Sequence, residues 1–305
     1  MSTTTRRSAA LSFLLLISAC SNESPRGLTD AAPNLAVPAW SADVTWYQIF
    51  VERFRNGDPS NDPTAHDIEG FTSEPTPEGW QPTPWSLDWY SREPWARASG
   101  KDFYGTAQFR RYGGDLKGVL DRMDYLQDLG VTALFLNPIN DAPSLHKYDA
   151  RNYQHIDRNF GPDPQGDEAR IVDEDLTNPA SWTWTAADSL FLVLVREVHR
   201  RGMRIIIDYS WNHTGTSFPA WEDVLKNQRE SRFADWYEVE RFDDPATPDS
   251  SEFAYRGWAG VPSLPEWKKV GRPAGQIKGA IDGNLIPGVR DLVFNVSRRW
   301  LDPNG

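Results

Sequence analysis

Cysteine is almost absent: the 305 residues contain one, Cys20. No disulfide can form within the chain, so its stability must rest on packing and on any bound metal. Excess positive charge is missing too. The formal net charge is −11, which argues against a nucleic-acid partner and for a neutral or cationic one. The apolar run at Ala9–Ile17 is short, well under the roughly 20 residues of a membrane-spanning helix. No internal repeat is visible beyond an alternation of strand-like and helix-like segments. Aromatic residues, by contrast, are plentiful. The 14 Trp suit cores and interfaces, and their flat rings also suit a ligand with flat apolar faces.

The N-terminus reads as a processing signal rather than as fold. Arg6 and Arg7 precede the apolar run, and Ile17-Ser18-Ala19-Cys20 follows it. That segment resembles a bacterial lipobox, with Cys20 as the cleavage and lipidation point. Residues 1–19 are thus expected to be a lipoprotein signal peptide, and residues 20–43 a lipidated tether rich in Ser, Pro, Asn and Ala. The expected location is a bacterial membrane, reached through the lipid alone. Ser21 after Cys20 suits the outer membrane of a Gram-negative cell.

Folded structure is expected from Val44. Val44–Phe50 is aromatic and β-branched, as a buried strand is. A Pro- and Trp-rich segment, Asn56 to about Lys101, reads as an ordered loop. Leu116, Val119, Leu120, Met123 and Leu126 then recur at helical spacing, with Gly130 as the stop. Val131–Leu136 is a second strand, Ala186–Arg201 a second helix closed by Gly202, and Arg204–Asp208 a third strand. Asp291–Trp300 reads as a third helix. Strand, helix, strand, helix, strand with tight helix–Gly–strand joints is the pattern of parallel crossovers. The run Ile205-Ile-Ile-Asp208 reads as a fully buried parallel strand whose tip carries chemistry. The loops after the second and third strands are long, and such loops are where these folds place function.

Several of these residues form a shared pattern. Asn137-Pro138-Ile139, Ala142-Pro143-Ser144, His146-Lys147-Tyr148-Asp149 and Asp208-x-x-x-Asn212-His213 resemble the α-amylase superfamily, glycoside hydrolase family 13. Trp46–Phe50, Glu52-Arg53-Phe54 and Asn56-Gly57-Asp58-Pro59 are similar to its neopullulanase and cyclomaltodextrinase branch. The resemblance implies an α/β fold, a (β/α)8 TIM barrel, here truncated after about the third β/α unit. Residues 44–213 would be the N-terminal part of the catalytic barrel and 214–285 a domain B-like insertion after the third strand. Residues 286–305 would be the third barrel helix and the truncated end. Ser263–Trp267 stands, as a loose match, where the branch has a Met-Pro-Lys-Leu-Asn segment.

The resemblance also implies roles. Tyr148 would stack under a sugar, His213 would hydrogen-bond that sugar's primary hydroxyl, and Asp208 would buttress the site. Asn212 matches a calcium ligand of many α-amylases. The oxygen-rich turn with Asn56, Asp58, Ser60, Asn61 and Asp62, joined by the Gly113 carbonyl and Asp115, would hold structural calcium, a cation that takes about six to eight oxygens. The bland reading of the same turn is an Asx-rich bend. The partner implied is an α-glucan oligosaccharide or polysaccharide, cut with retention.

Retaining cleavage needs two carboxyl groups about 5–5.5 Å apart. In the family the nucleophile lies in a Gly-x-Arg-x-Asp segment. Gly288-Val-Arg290-Asp291 has the wrong spacing, and Gly202-Met-Arg204 lacks the Asp. Nucleophile and acid/base are therefore expected beyond Gly305, and this chain alone is expected to be inactive and poorly soluble, with its third strand left as an unpaired edge. Two other readings stay open: a non-catalytic maltodextrin-binding surface lipoprotein, and a non-functional gene fragment.

Overall fold

The computed structural model describes residues 37–248, 252–270 and 284–301. The signal peptide, Cys20, most of the tether and Gly305 lie outside the described residues. The chain divides into residues 1–43 and 44–305. Of the first unit, the described part holds one turn of 3-10 helix, Ala39–Asp43. No helix among the described residues is long and apolar enough to cross a membrane.

The second unit is built on a parallel sheet of β1 (Trp46–Ile49), β2 (Ala133–Leu136) and a third strand, Arg204–Ile207, with β2 in the middle. The pairing runs Ile49 beside Leu136 and Leu136 beside Ile207. The ladder continues one residue further at the C-terminal tips, where Asn137 donates to the Ile49 carbonyl and Asp208 to the Leu136 carbonyl. Between the second and third strands runs an antiparallel hairpin, β3 (Asn140–Asp141) and β4 (Asn152–Ile156). Arg204–Ile207 is therefore β5.

Eight α-helices complete the described part of this unit: α1 (Pro94–Ala98), α2 (Phe103–Ala107), α3 (Leu116–Leu120), α4 (Met123–Asp128), α5 (Pro164–Ile171), α6 (Ala186–Arg200), α7 (Pro219–Asn227) and α8 (Pro287–Leu301). Helix α6 shows why these segments pack as they do. Thr185 caps its N-terminus in a reciprocal pair with Asp188, and Ala187, Phe191, Leu194 and Val198 recur on one buried face. That face meets Leu116, Val119, Met123 and Leu126 and the inner residues Ile49, Leu134 and Leu136 of the sheet. The joints that lead from helix to strand share one device. At Gly130 (φ 82°) and Gly202 (φ 72°) the chain turns left-handed, and Val131 and Met203 donate back five residues, to Leu126 and Val198. This is the Schellman closure, which a glycine adopts without a Cβ penalty.

Two expectations need correction. The single helix expected from Leu116 to Gly130 is broken: Arg122 leaves the helical region at φ −112°, ψ 10°. The apolar spacing survives the break, because Leu116, Val119, Met123 and Leu126 still share one buried face. Nor is β5 fully buried. Its residues alternate exposed and half-buried, with Ile206 38% exposed. Among the described residues β5 pairs with β2 alone, so neither its outer edge nor its outer face is covered.

Residues 56–112 carry a small core of their own, Ile68, Trp80, Trp95, Ala96 and Phe109, with the buried ion pair Arg110–Glu93 at 2.9 Å beside it. The stretch expected as an insertion holds α7 and the hairpin β6 (Val239–Arg241) and β7 (Ala254–Tyr255). Its aromatic core of Phe218, Trp221, Trp236, Tyr237 and Trp267 is continuous with Tyr153 of β4 and with Val289, Leu292 and Val296 of α8.

Candidate functional site

The C-terminal strand tips carry a connected set of polar side chains. Gln48 donates to Asn137 (2.9 Å). The Tyr148 hydroxyl donates to the Asp208 carboxylate at 2.7 Å. Burial, together with that hydrogen bond, pushes the Tyr148 hydroxyl up to about 12, so it stays a donor at any ordinary pH. The backbone carbonyl of Tyr148 is held from the other side, by the Ser210 hydroxyl (2.8 Å) and by Nε2 of His213 (2.9 Å). Tyr148 is thus fixed at both its hydroxyl and its carbonyl, with its ring partly open to solvent.

His213 sits behind this arrangement. It is 2% exposed, Nδ1 lies 2.8 Å from the Asn212 amide nitrogen, and its ring stacks on Trp258 at 5.0 Å. Nε2 faces a carbonyl and Nδ1 faces an amide donor, which sets the neutral tautomer with its proton on Nε2. Burial pushes the ring down to about 4, against the pull of the Tyr148 carbonyl, so the neutral form persists. Both ring nitrogens of His213, expected from the resemblance to meet a sugar hydroxyl, are here engaged within the protein. Asn212 gives its side chain to His213 and its carbonyl to Trp267.

The loop from Asp208 to His213 is held from below and from the side. Buried Tyr153 donates its hydroxyl toward the carbonyls of Ser210 (2.7 Å) and His213. The segment Ser263–Trp267 lies alongside: Thr214 donates to Pro265 and Trp267 to Asn212, forming an antiparallel bridge between His213 and Glu266. Neither Tyr153 nor Trp258 was singled out from the sequence.

Lys147 was missed in a sharper way. It has φ 61°, a left-handed backbone that costs a residue with a Cβ roughly 1–2 kcal/mol. All its polar groups are used. Its amide donates to the Ser144 hydroxyl (3.1 Å), its carbonyl accepts from Asn140 (3.2 Å), and Nζ donates to the Ala142 carbonyl (2.7 Å) and pairs with Asp157 at 2.6 Å. The only sequence signal is its position before Tyr148.

The oxygen-rich turn also comes together. Asp115 caps α3 through Gly118 (2.6 Å) and accepts from the amides of Gly57 (3.0 Å) and Asp58 (2.8 Å). Asp58 accepts from both the amide and the hydroxyl of Ser60. Asn56 donates to Asp62 at 2.5 Å. Gly113, at φ 67°, lies so close to Asp62 and Asn56 that a Cβ there would collide with both. Burial, with repulsion from Asp115, Asp58 and Glu52, outweighs the Asn56 hydrogen bond and pushes Asp62 up to about 6. Oδ1 of Asn56 and Oδ1 of Asn61 are buried without a hydrogen bond. Among the described residues no group of three or more His, Cys, Asp or Glu is arranged to hold a metal. The turn offers the side-chain amides of Asn56 and Asn61 and the carboxylates of Asp58, Asp62 and Asp115, oxygen donors that suit a hard cation such as calcium and not a transition metal.

A family profile described as "Alpha amylase, catalytic domain" matches residues 48–173 and 186–267. The chain belongs to the α-amylase family. Its relatives include neopullulanase 2 of Thermoactinomyces vulgaris, 35% identical over 266 residues, covering 87% of this chain and 33% of that protein. The intracellular maltogenic amylase of Bacillus subtilis (strain 168) is 36% identical over 234 residues, covering 76% of this chain and 29% of that protein. Among solved structures, the cyclic alpha-maltosyl-(1→6)-maltose hydrolase of Arthrobacter globiformis superposes with a TM-score of 0.55 at 30% identity, over 87% of this chain and 43% of that one. That enzyme is also seen in complex with maltose. The chain spans about a third of the length of these curated relatives. α-Amylase catalytic domains imply a (β/α)8-type fold, and β1, β2 and β5 with their helices are consistent with consecutive units of it. In such folds function gathers at the C-terminal strand tips, where Tyr148 and Asp208 meet.

Proposed function

We propose that this chain is the sugar-gripping part of a retaining α-glucan hydrolase that acts on starch or maltodextrin. The observation that carries the reading is Tyr148, half-buried at the strand tips, with its hydroxyl held by Asp208 and its backbone carbonyl by His213 and Ser210. A pyranose would lie against its ring. Asp208 keeps the hydroxyl turned away, so the ring presents its face. His213 supports the Tyr148 carbonyl, and reaches a sugar hydroxyl only by giving that contact up. The sequence matches none of the family's nucleophile pattern, so cleavage is assigned to no residue here. The chain by itself would bind glucan without cutting it.

Three finer points belong to the same reading. Residues 214–285 would act as the inserted domain B, bringing Trp258 and Glu266 beside the sugar. Asn56, Asp58, Asn61, Asp62, Asp115 and the Gly113 carbonyl would hold calcium, which would neutralise the crowded carboxylates and tie the loop after β1 to α3. Cys20 would carry the lipid that anchors the protein to the membrane.

Calorimetric titration of the full chain with maltoheptaose tests the central claim. Binding is expected, and Tyr148→Ala is expected to weaken it at least tenfold. No heat with the unaltered chain would defeat the proposal. Reducing sugar released from maltodextrin by the purified chain would show that cleavage is wrongly excluded.

A further inference from the structure

We infer that Lys147 is a positioning residue: its buried pair with Asp157 holds a left-handed turn that delivers Tyr148 to the strand tips. The inference deepens the glucan-binding reading and rests on it only for its ligand.

The argument begins with an oddity. A left-handed backbone usually falls to Gly or Asn, yet position 147 is a lysine at φ 61° and 6% exposed. A long cation is a poor occupant of a buried turn unless something specific holds it. Here Nζ reaches the Asp157 carboxylate (2.6 Å) and the Ala142 carbonyl (2.7 Å), and lies 5.3 Å from the centre of the Phe160 ring. Asp157 is itself buried and otherwise accepts from the amides of Ala142 (3.2 Å) and Asn159 (3.0 Å). The pair therefore ties the turn to the β3–β4 hairpin from both ends. Asn140 of β3 adds its side-chain amide to the Lys147 carbonyl.

The consequence falls on the next residue. The peptide that leaves Lys147 is the one whose following carbonyl meets Ser210 and His213, and whose ring reaches Asp208. With an ordinary right-handed or extended backbone at 147, the Tyr148 carbonyl and ring could not both keep these partners. Lys147 is buried with its polar groups all engaged within the protein; it acts through Tyr148.

The test separates the turn from mere stability. Lys147→Ala removes the pair and disfavours the turn; Lys147→Gly removes the pair but lets the backbone turn left unaided. Two readouts apply to the full chain. One is the exchange-protected Nε2–H signal of His213 in proton–nitrogen NMR, identified by its loss in His213→Gln. The other is maltoheptaose affinity by calorimetry, read at a temperature well below each variant's Tm. Lys147→Ala is expected to lose the signal and about tenfold in affinity, a change of ~1.4 kcal/mol. Lys147→Gly is expected to keep the signal and to stay within about threefold of the parent. Parent-like behaviour of folded Lys147→Ala overturns the inference, and so does loss of the signal in folded Lys147→Gly. If Lys147→Ala does not fold, the Lys147→Gly result decides alone. A parent that shows the NMR pattern but binds no glucan defeats the proposed function and leaves the positioning role standing.

Discussion

Asp62 is the side chain through which the proposed calcium site can be tested. Its folded-state value is raised to about 6 from an ordinary 3.8, so ionising it costs stability. The sign follows from linkage: the folded state binds this proton more tightly, and that contribution fades as pH rises from about 4 through about 6. Asp62→Asn is therefore expected to raise Tm in chelator at pH 7.5, and to abolish any rise in Tm on adding calcium. Thermal melts with and without calcium check both halves; a calcium response that survives in Asp62→Asn would move the cation elsewhere. Tyr148, Asp208 and the oxygen-rich turn were singled out in the sequence because they lie in short motifs that resemble the family's, and their roles here are proposed. Lys147 and Tyr153 were not singled out. No glycine announces the left-handed turn at 147, and Tyr153 earns its place by reaching carbonyls 57 and 60 residues further along the chain.

Helices and strands were legible where punctuation is local. Gly130 and Gly202 end their helices where the apolar spacing stops. Neither has an atom within 4 Å of where a Cβ would stand, so positive φ and not crowding demands glycine. Gly202→Ala is expected to destabilise the protein by about 1–2 kcal/mol, measured by urea unfolding at constant m-value. The break at Arg122 and the β3–β4 hairpin were missed: no Gly or Pro marks the break, and β4 is buried on both faces, so it shows no alternation of apolar and polar residues. The hairpin also carries a pH-sensitive clamp. His155 of β4 is buried between Asp188 of α6 (2.7 Å) and Glu174 (2.8 Å). Burial alone would lower its pKa, but the two carboxylates outweigh it and raise the ring to about 9. A raised histidine stabilises fully below its unfolded value near 6.5 and loses that contribution as pH climbs through about 9. Tm is expected to fall between pH 6.5 and 9, and His155→Gln is expected to flatten that slope while lowering Tm at pH 6. An unchanged slope would locate the titration elsewhere.

For the molecule as a whole, the sheet has its centre well covered and one side poorly so. Ile206 stands on the open face of β5, and an uncovered strand with apolar residues is prone to pair with another copy. Ile206→Lys is expected to reduce light scattering on concentration while changing Tm little; equal scattering would place the sticky surface elsewhere. The alternation of strands and helices made the parallel sheet legible, but burial depends on what lies beside a strand, which Ile205-Ile-Ile-Asp208 cannot state about itself. The aromatic core beneath the site has a further implication, one of timing. It gathers Tyr153, Trp221 and Trp267 with Val289, Leu292 and Val296 of α8, residues separated by well over a hundred positions. Contacts of such long sequence separation form slowly. On the ribosome, β1 and β2 can pair while most of the chain is unmade. The loop that frames Tyr148 must wait for α8, so the proposed sugar-binding face would mature well after the first two strands have paired.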